Sequence, residues 1–121
     1  MILDSCILID VSRNNRNAVD YLEGLQSLPA ISVVTMTEVL SGVRNKRESR
    51  LFEALFAQWR IIPLDVAIAR EAGDLLSKYQ ASHGTDIIDA IIAATAIQHQ
   101  LDLITLNLKH FPMFENLKRP Y

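Results

Sequence analysis

The sequence predicts an α/β domain with a mainly parallel sheet, and two observations support this prediction. Short apolar segments alternate along the chain with longer segments of helical periodicity, as in β-α-β units whose helices cover a parallel sheet. The chain has 121 residues, of which 50% are hydrophobic and 21% are charged. This size and composition indicate one compact domain, which we place at residues 1–121.

Each predicted element rests on its local pattern of apolar residues and on the turn residues that bound it. The predicted strands are residues 1–3, 31–34, 60–64 and 101–105, with a weaker fifth strand at 115–121. The predicted helices are residues 7–11, 14–26, 35–43, 51–59, 65–82 and 86–98. In the third helix, the spacing of Thr35 and Glu38 matches a capping box.

Residues 86–98 are predicted to form the most buried helix. After Asp89 this segment is apolar or small at almost every position, which indicates burial on most of the helix circumference. The segment is too short to span a bilayer, so we expect no membrane association. Asp86 and Asp89 lie on one face at its start. The simplest interpretation makes Asp86 the N-cap and places Asp89 at the positive end of the helix dipole.

Charge and cysteine content exclude several classes of protein. A formal net charge of −2 argues against a protein that coats nucleic acid non-specifically. The single cysteine excludes an intrachain disulfide and a cysteine-based zinc site. Residues 1–3 lead directly into Asp4, which leaves no room for a signal segment. We therefore expect a cytoplasmic protein.

Acidic or amide side chains follow several of the predicted strands. Asp4 ends the first strand, Glu38 lies shortly after the second, and Asn107 lies just past the fourth. Asp86 and Asp89 begin a helix that must pack on the sheet. Because ligand sites of such sheets collect at the carboxyl ends of the strands, we expect these side chains to converge there. Each also has a plainer interpretation as a helix cap, a dipole partner or a turn residue.

Convergence of several carboxylates, with no basic residue in the same loops, predicts a bound cation. Like charges at short distance repel each other, and some of the carboxyl groups would be forced to stay protonated. A divalent hard cation removes this conflict, because Mg²⁺ and Mn²⁺ prefer oxygen ligands. Such ions activate water and stabilise charge that develops on phosphorus. Hydrolysis of a phosphodiester bond is therefore the predicted chemistry.

Four blocks of sequence, which together span nearly the whole chain, point to a known family. The blocks are Leu3–Ser5 with Ile7–Asp10, Thr37–Gly42, Asp89–Ala96, and Leu103–Phe111. This set resembles the PIN-domain nucleases, and specifically the VapC-type toxins of toxin–antitoxin pairs. The block that begins at Asp89, at its distance from the first block, is the most specific. The resemblance implies a three-layer α/β/α domain around a central, mainly parallel sheet of four to five strands, and an endoribonuclease that cleaves RNA.

The resemblance also implies roles for individual residues. Asp4, Glu38 and Asp89 would form the acidic site around Mg²⁺ or Mn²⁺. Asp4 and Asp89 would bind the ion directly, whereas Glu38 would act through water or as a proton acceptor. Ser5 would support the site with its hydroxyl group. The family typically forms homodimers and is silenced by an antitoxin whose basic segment enters the acidic site.

The chain departs from the family pattern at two places. Cys6 stands where the family often has Asn. In the last block, Asn107 and His110 occupy positions at which the family often has Asp. A fourth carboxylate is therefore missing from the expected set. Asp86, one turn before Asp89, is expected to act as a helix cap, with a secondary place near the metal.

The remaining basic, histidine, cysteine and aromatic residues are expected to have roles other than binding the metal. The basic cluster is either a solvated helix face or a rim that contacts RNA phosphates, and it comprises Arg44, Lys46, Arg47 and Arg50. The three histidines are expected to be structural or surface residues: His83, His99 and His110. Of these, His110 is the most interesting because it lies near Asn107. Cys6 is expected to pack in the interior. The helical aromatic stripe is expected to belong to the core, and it comprises Phe52, Phe56 and Trp59.

Two other functions fit parts of the pattern. A receiver-like domain would use Asp4 as a phosphoryl acceptor, but such sites usually have a second acid two residues later, where this chain has Cys6. A PIN fold kept only as a binding module would explain the missing carboxylate. Measurable Mn²⁺ affinity that depends on Asp89 would argue against the binding module.

Overall fold

The computed structural model describes all of residues 1–121, and it contains a four-stranded sheet with six α-helices. The strands are β1 (Ile2–Leu3), β2 (Ala30–Ser32), β3 (Arg60–Ile62) and β4 (Leu103–Ile104). The helices are α1 (Ser5–Ser12), α2 (Arg16–Glu23), α3 (Val33–Ser41), α4 (Lys46–Phe56), α5 (Val66–His83) and α6 (Ile87–Gln98). One turn of 3₁₀-helix follows at Leu108–His110.

The sheet is entirely parallel and has the strand order β3-β2-β1-β4. From β1 the chain adds β2 and then β3 on one side, and it then returns to add β4 on the other side of β1. The strand order therefore reverses at the boundary between β1 and β4. In open α/β sheets, this reversal opens a crevice at the carboxyl ends of the strands, where ligands bind.

The core lies on both faces of the sheet, which confirms the three-layer α/β/α prediction. Ile2 of β1 packs with buried residues of α5 and α6, whereas its neighbour Leu3 packs with buried residues of α1 and α4. This alternation follows from the two-residue period of a strand. Phe52 and Trp59 are buried and Phe56 packs against their cluster, so the aromatic stripe belongs to the core as predicted.

The burial of α6 also follows the sequence prediction. Ala90, Ala93 and Ala94 have no exposed surface, and α5 packs along this helix. Small side chains allow a helix to lie close to its neighbours. No helix of the chain is both long enough and apolar enough to cross a membrane.

The predicted fifth strand is absent. Residues 115–121 form no strand, and β4 remains at the edge of the sheet. The apolar residues Phe114 and Leu117 pack against the core through their side chains. The tail then reaches α1, where the Tyr121 hydroxyl donates a hydrogen bond to Asp10 Oδ2 over 2.9 Å. These side-chain contacts replace the predicted backbone pairing.

Three helices begin earlier than the periodicity predicts, because polar residues upstream cap them. The first is α1, which begins at Ser5 after its cap Asp4. Ser32 Oγ accepts from the Val34 N–H at 3.2 Å, so α3 begins at Val33 and the predicted strand ends sooner. The predicted capping box of Thr35 and Glu38 is therefore wrong. Asn45 Oδ1 accepts from the Glu48 N–H at 2.9 Å, so the charged stretch forms the first turns of α4.

Candidate active site

Asp4 lies directly after β1, at the reversal in strand order. It is 3% exposed, and its N–H donates to the Ile104 carbonyl of β4 over 3.0 Å. Asp4 Oδ1 caps α1 by accepting from the Ser5 N–H at 2.7 Å. Asp4 Oδ2 accepts from the Thr105 hydroxyl, also at 2.7 Å. The capping and functional interpretations of Asp4 are thus compatible, because one carboxylate both caps a helix and lies in the crevice.

Asp86 and Asp89 form a reciprocal capping box at the start of α6. Asp86 Oδ1 accepts from the Asp89 N–H at 2.8 Å, and Asp89 Oδ2 accepts from the Asp86 N–H at 3.1 Å. The predicted role of Asp86 as N-cap is confirmed. Asp86 is exposed, whereas Asp89 is 7% exposed. The capping geometry orients Asp89 from within its own helix.

His110 contacts Asp89, which the sequence analysis did not anticipate. His110 Nδ1 lies 3.2 Å from Asp89 Oδ2. The Thr85 hydroxyl, which is buried beside the start of α6, donates to the His110 carbonyl over 2.7 Å. The assignment of His110 as a surface or structural residue was therefore incomplete. Its position in the segment that follows β4, three residues after Asn107, was the available signal.

The electrostatics of Asp89 show the predicted repulsion between carboxylates. Burial raises the pKa of Asp89 to about 6, and the negative charges of Asp86 and Asp4 act in the same direction. The hydrogen bond from the Asp86 backbone and the nearby His110 lower this pKa in part. No lysine or arginine forms an ion pair with Asp4 or Asp89. A buried pair of acids without a fixed cation is the chief electrostatic feature of the crevice.

The donor set fits a hard divalent cation held by few protein ligands. No group of three or more histidine, cysteine, aspartate or glutamate side chains converges in an arrangement that could hold a metal. Asp4 and Asp89 are close enough for the charge of one to raise the pKa of the other. Mg²⁺ is usually bound by one or two carboxylates, with waters and substrate oxygens completing its coordination. Two carboxylates suit this ion better than Ca²⁺, which takes six to eight oxygen ligands.

The other predicted site residues differ in their placement. Ser5 is buried and donates its backbone N–H to Asp4. The Asn107 N–H donates to Thr105 Oγ1 at 3.0 Å, but its exposed side chain makes no capping bond. Glu38 is exposed on α3, a helix that packs against α6, and its carboxylate makes no hydrogen bond or ion pair. The structure thus brings Ser5 and Asp86 into contact with the acidic pair, and it leaves the exposed Glu38 carboxylate without a partner in the protein.

Cys6 lies next to Asp4 in a protonated state. Its Sγ is 3.7 Å from both Asp4 Oδ2 and Thr105 Oγ1, and it accepts from the Leu106 N–H at 3.4 Å. Burial and the charge of Asp4 raise the pKa of Cys6 to about 11. A thiol with this pKa is not a nucleophile at neutral pH, in agreement with the predicted packing role.

The basic cluster is organised around a buried acid that the sequence analysis did not single out. Glu48 is 1% exposed, and Arg44 Nε and Nη2 donate to its Oε2 over 3.0 and 2.7 Å. Arg47 Nη2 donates to the Ser12 carbonyl at the end of α1 over 2.6 Å. Lys46 is exposed and forms no ion pair. Arg44 and Arg47 therefore have structural contacts, which a purely solvated face would lack.

Comparison with known proteins agrees with this fold and crevice. Residues 1–114 match the family described as the PIN domain. The chain belongs to the PIN-domain family. It is 40% identical to Ribonuclease VapC10 of Mycobacterium tuberculosis over 124 residues, which cover 100% of this chain and 92% of that protein. It is 39% identical to Ribonuclease VapC19 of the same species over 127 residues, which cover 99% and 98%.

A solved structure extends the comparison to three dimensions. A structure described as a toxin–antitoxin complex from Klebsiella pneumoniae has a chain that matches with a TM-score of 0.83 at 36% identity. The match covers 99% of this chain and 97% of the other. The resemblance to VapC-type PIN-domain proteins that the four sequence blocks indicated is confirmed.

Within this PIN-domain protein, the segment after β4 supplies the contacts that sequence reasoning missed. Thr105 holds Asp4, and His110 holds Asp89. Both residues lie in the last sequence block, where the family pattern led us to look for a carboxylate. A search for any hydrogen-bond donor at the carboxyl end of β4, instead of an acid only, would have found both.

Proposed function

We propose that this PIN-domain protein is the toxin of a toxin–antitoxin pair, an endoribonuclease that depends on Mg²⁺ or Mn²⁺ and acts in the cytoplasm. The observation that carries the proposal is the buried pair Asp4 and Asp89 at the reversal in strand order, with no lysine or arginine to neutralise it. The names of the relatives VapC10 and VapC19 describe ribonucleases. These names support RNA as the substrate of this chain.

In the proposed mechanism, Asp4 and Asp89 would hold the ion at the crevice. A bound Mg²⁺ or Mn²⁺ would supply positive charge that stabilises the phosphoryl oxygens and makes a nearby water more acidic. Glu38, which is exposed and unpaired, would accept the proton of the attacking water. Thr105 and His110 would keep the two carboxylates in their orientation. Ser5, Asp86 and Asn107 contribute backbone and capping contacts that shape the same crevice.

Substitution of the two acids tests this proposal. Asp4→Asn and Asp89→Asn keep an acceptor oxygen for each helix cap but remove the negative charge. We expect each to reduce cleavage of RNA by purified, antitoxin-free protein at least about 100-fold, because charge stabilisation at the reacting phosphate is lost. Asp102→Asn is the matched control, since Asp102 is exposed at the opposite end of β4. Undiminished cleavage by both site variants, with unfolding temperatures near that of wild type, would contradict the proposal.

We propose that Lys46 and the exposed parts of Arg44 and Arg47 contact RNA phosphates. The side chains of Arg44 and Arg47 are 53% and 52% exposed even while they are hydrogen-bonded. Lys46 can be removed without disturbing Glu48, so Lys46→Ala is the informative variant. Weaker RNA binding with a reduced dependence on salt would support the proposal. Unchanged binding would contradict it.

Two apolar surfaces support the proposed protein partners. Ile87, 61% exposed, lines a groove between α5 and α6, and Val66, 70% exposed, is the first residue of α5. We propose this side of the protein as the homodimer face. A second groove, lined by Leu22, Leu55 and Trp59 of the α2–α4 side, would receive an apolar segment of the antitoxin. The toxin–antitoxin structure from Klebsiella pneumoniae supports such a partner. Sedimentation of wild type and Val66→Asp tests the dimer, and an unchanged mass would contradict the assigned face.

A further inference from the structure

The turn that carries His110 is held against the start of α6 by buried hydroxyl groups. Thr85, 1% exposed, donates to the His110 carbonyl over 2.7 Å. At the other end of the turn, Thr105 Oγ1 accepts from the Asn107 N–H at 3.0 Å while its own hydroxyl hydrogen goes to Asp4. The backbone on both sides of the His110 ring is therefore anchored independently of the ring. The contacts that fix this backbone are separate from the contact between the ring and Asp89.

The two oxygens of Asp89 have different partners. Oδ2 receives the Asp86 N–H at 3.1 Å and lies 3.2 Å from His110 Nδ1. The second contact requires a hydrogen on Nδ1, which both the imidazolium and one neutral tautomer of histidine carry. Oδ1 accepts no hydrogen bond from the protein. The only fully buried side-chain oxygen or nitrogen without a partner is Thr35 Oγ1, so Asp89 Oδ1 is not fully buried. Oδ1 is therefore open to solvent, and it is the oxygen available to a ligand.

The two ring nitrogens of His110 face different parts of the protein. Nδ1 faces Asp89, and Nε2 faces the turn before α6, where a Cβ atom on Gly84 would lie 3.8 Å away. Gly84 has a φ of +68°, a left-handed conformation that glycine adopts without strain. Neither nitrogen is directed at Asp4 by any contact in the structure. The ring thus acts on the acidic pair only through Asp89.

We propose that His110 is a positioning residue for metal binding, a role that rests on the proposed function of the acidic pair. By holding Oδ2, His110 stops the Asp89 carboxylate from rotating and leaves Oδ1 as the oxygen presented to the ion. A carboxylate ordered in advance loses less conformational freedom when the ion binds. Outer partners of metal ligands typically change metal affinity by about 10- to 100-fold. In this chain a histidine N–H therefore takes a position where the family pattern has a carboxylate.

Mn²⁺ affinity of the metal-free protein, measured by titration calorimetry and by the paramagnetic resonance of free Mn²⁺, tests this role without reference to cleavage. We expect His110→Ala to weaken Mn²⁺ binding about 10-fold or more. His110→Asn places an amide N–H near the former Nδ1, and we expect it to restore affinity to within about threefold of wild type. His99→Ala is the control, because His99 contacts Arg60 at the far end of α6. Thermal unfolding of each metal-free variant shows that the fold is retained.

The outcomes separate this inference from the proposed function. Wild-type affinity in His110→Ala would overturn the positioning role, and so would equal losses in His110→Ala and His110→Asn. In both cases the acidic pair would remain the metal site if Asp89→Asn abolishes Mn²⁺ binding. A wild-type protein that binds no Mn²⁺ would instead overturn the metal site itself. Recovery in His110→Asn is the result that a merely space-filling histidine would not produce.

Discussion

Asp89 and Glu48 are both buried carboxylates, yet their surroundings shift their pKa values in opposite directions. Hydrogen bonds from Arg44 lower the pKa of Glu48 to about 2. Burial raises the pKa of Asp89 to about 6, helped by the charges of Asp86 and Asp4. Glu48 has its counterions within the protein, whereas Asp89 has other acids and one histidine. The comparison separates an acid whose charge the fold neutralises from one that the fold leaves without a lysine or arginine partner.

The largest expected effect on stability comes from removing the negative charge of Glu48. Glu48→Gln leaves Arg44 and the nearby Arg47 without their negative partner, and a neutral amide at this buried position cannot replace the hydrogen bonds that both carboxylate oxygens accept from Arg44. We expect the largest fall in unfolding temperature among the variants compared here, measured by calorimetry. Glu53→Gln is the control, since Glu53 is exposed on the same helix. Equal unfolding temperatures for the two variants would contradict the importance of this pair.

The pH dependence of stability also tests the role of the Glu48 charge. Because the pKa of Glu48 lies below its usual value of 4.5, its ionised form stabilises the fold above pH 4.5. This contribution is lost as the pH falls towards about 2. Wild type should therefore lose stability over this range, and Glu48→Gln should lose less. Parallel stability curves for the two proteins would disagree with the assigned pKa.

The second effect has the opposite sign and concerns Asp89. Its folded-state pKa of about 6 lies above the usual 3.8, so the stabilisation by its neutral form is complete below pH 3.8 and is lost as the pH rises through about 6. A shift of this size corresponds to at most about 3 kcal/mol. We expect Asp89→Asn to raise the unfolding free energy of metal-free protein at pH 7.5, measured with urea. Asp74→Asn, on the exposed face of α5, is the control.

Loss of both activity and stability in Asp89→Asn would contradict the contrast with Glu48. Removal of the charge from an acid that is kept for function should stabilise the fold and abolish the activity of the protein. Removal of the charge from a structural acid should instead lower the stability of the protein.

The smallest effect concerns a buried group with no partner at all. The Thr35 hydroxyl of α3 is fully buried and makes no hydrogen bond. Thr35→Val keeps the shape of the side chain and removes the unpaired hydroxyl, so we expect a gain of about 1 kcal/mol in unfolding free energy. Thr37→Val, on the same helix, removes a hydroxyl that donates to the Val33 carbonyl over 3.1 Å, and it should not stabilise. A loss of stability in Thr35→Val would indicate a bound water.

Local features of the fold were predictable from the sequence because they depend on neighbouring residues. The capping box of α6 joins Asp86 to Asp89, and its alanines signal a helix that lies close to others. The start of α3 was mispredicted because the β-branched Val33 and Val34 favour a strand. The Ser32 cap outweighed that preference.

Contacts between distant residues were not predictable in the same way. Thr105 reaches Asp4 across 101 positions of sequence, and Arg13 at the end of α1 lies 4.0 Å from Glu48 of α4. Such pairs depend on strand order and on how helices pack, which residue spacing does not specify. The contact of His110 with Asp89 was not anticipated for the same reason, because Asp89 belongs to another element.

By itself, the sequence determined the α/β class, the main helices and the acids that begin them, since periodicity and capping act over one or two turns. Only the tertiary structure decided which of those acids would be left without a counterion. The order β3-β2-β1-β4 brings Asp4 to the crevice beside β4, while the end of α1 places Arg13 4.0 Å from the Glu48 carboxylate, which Arg44 already contacts from four residues away. Electrostatic energies depend on distances in space and on burial, so a buried carboxylate has a structural role in one place and is a proposed metal ligand in the other.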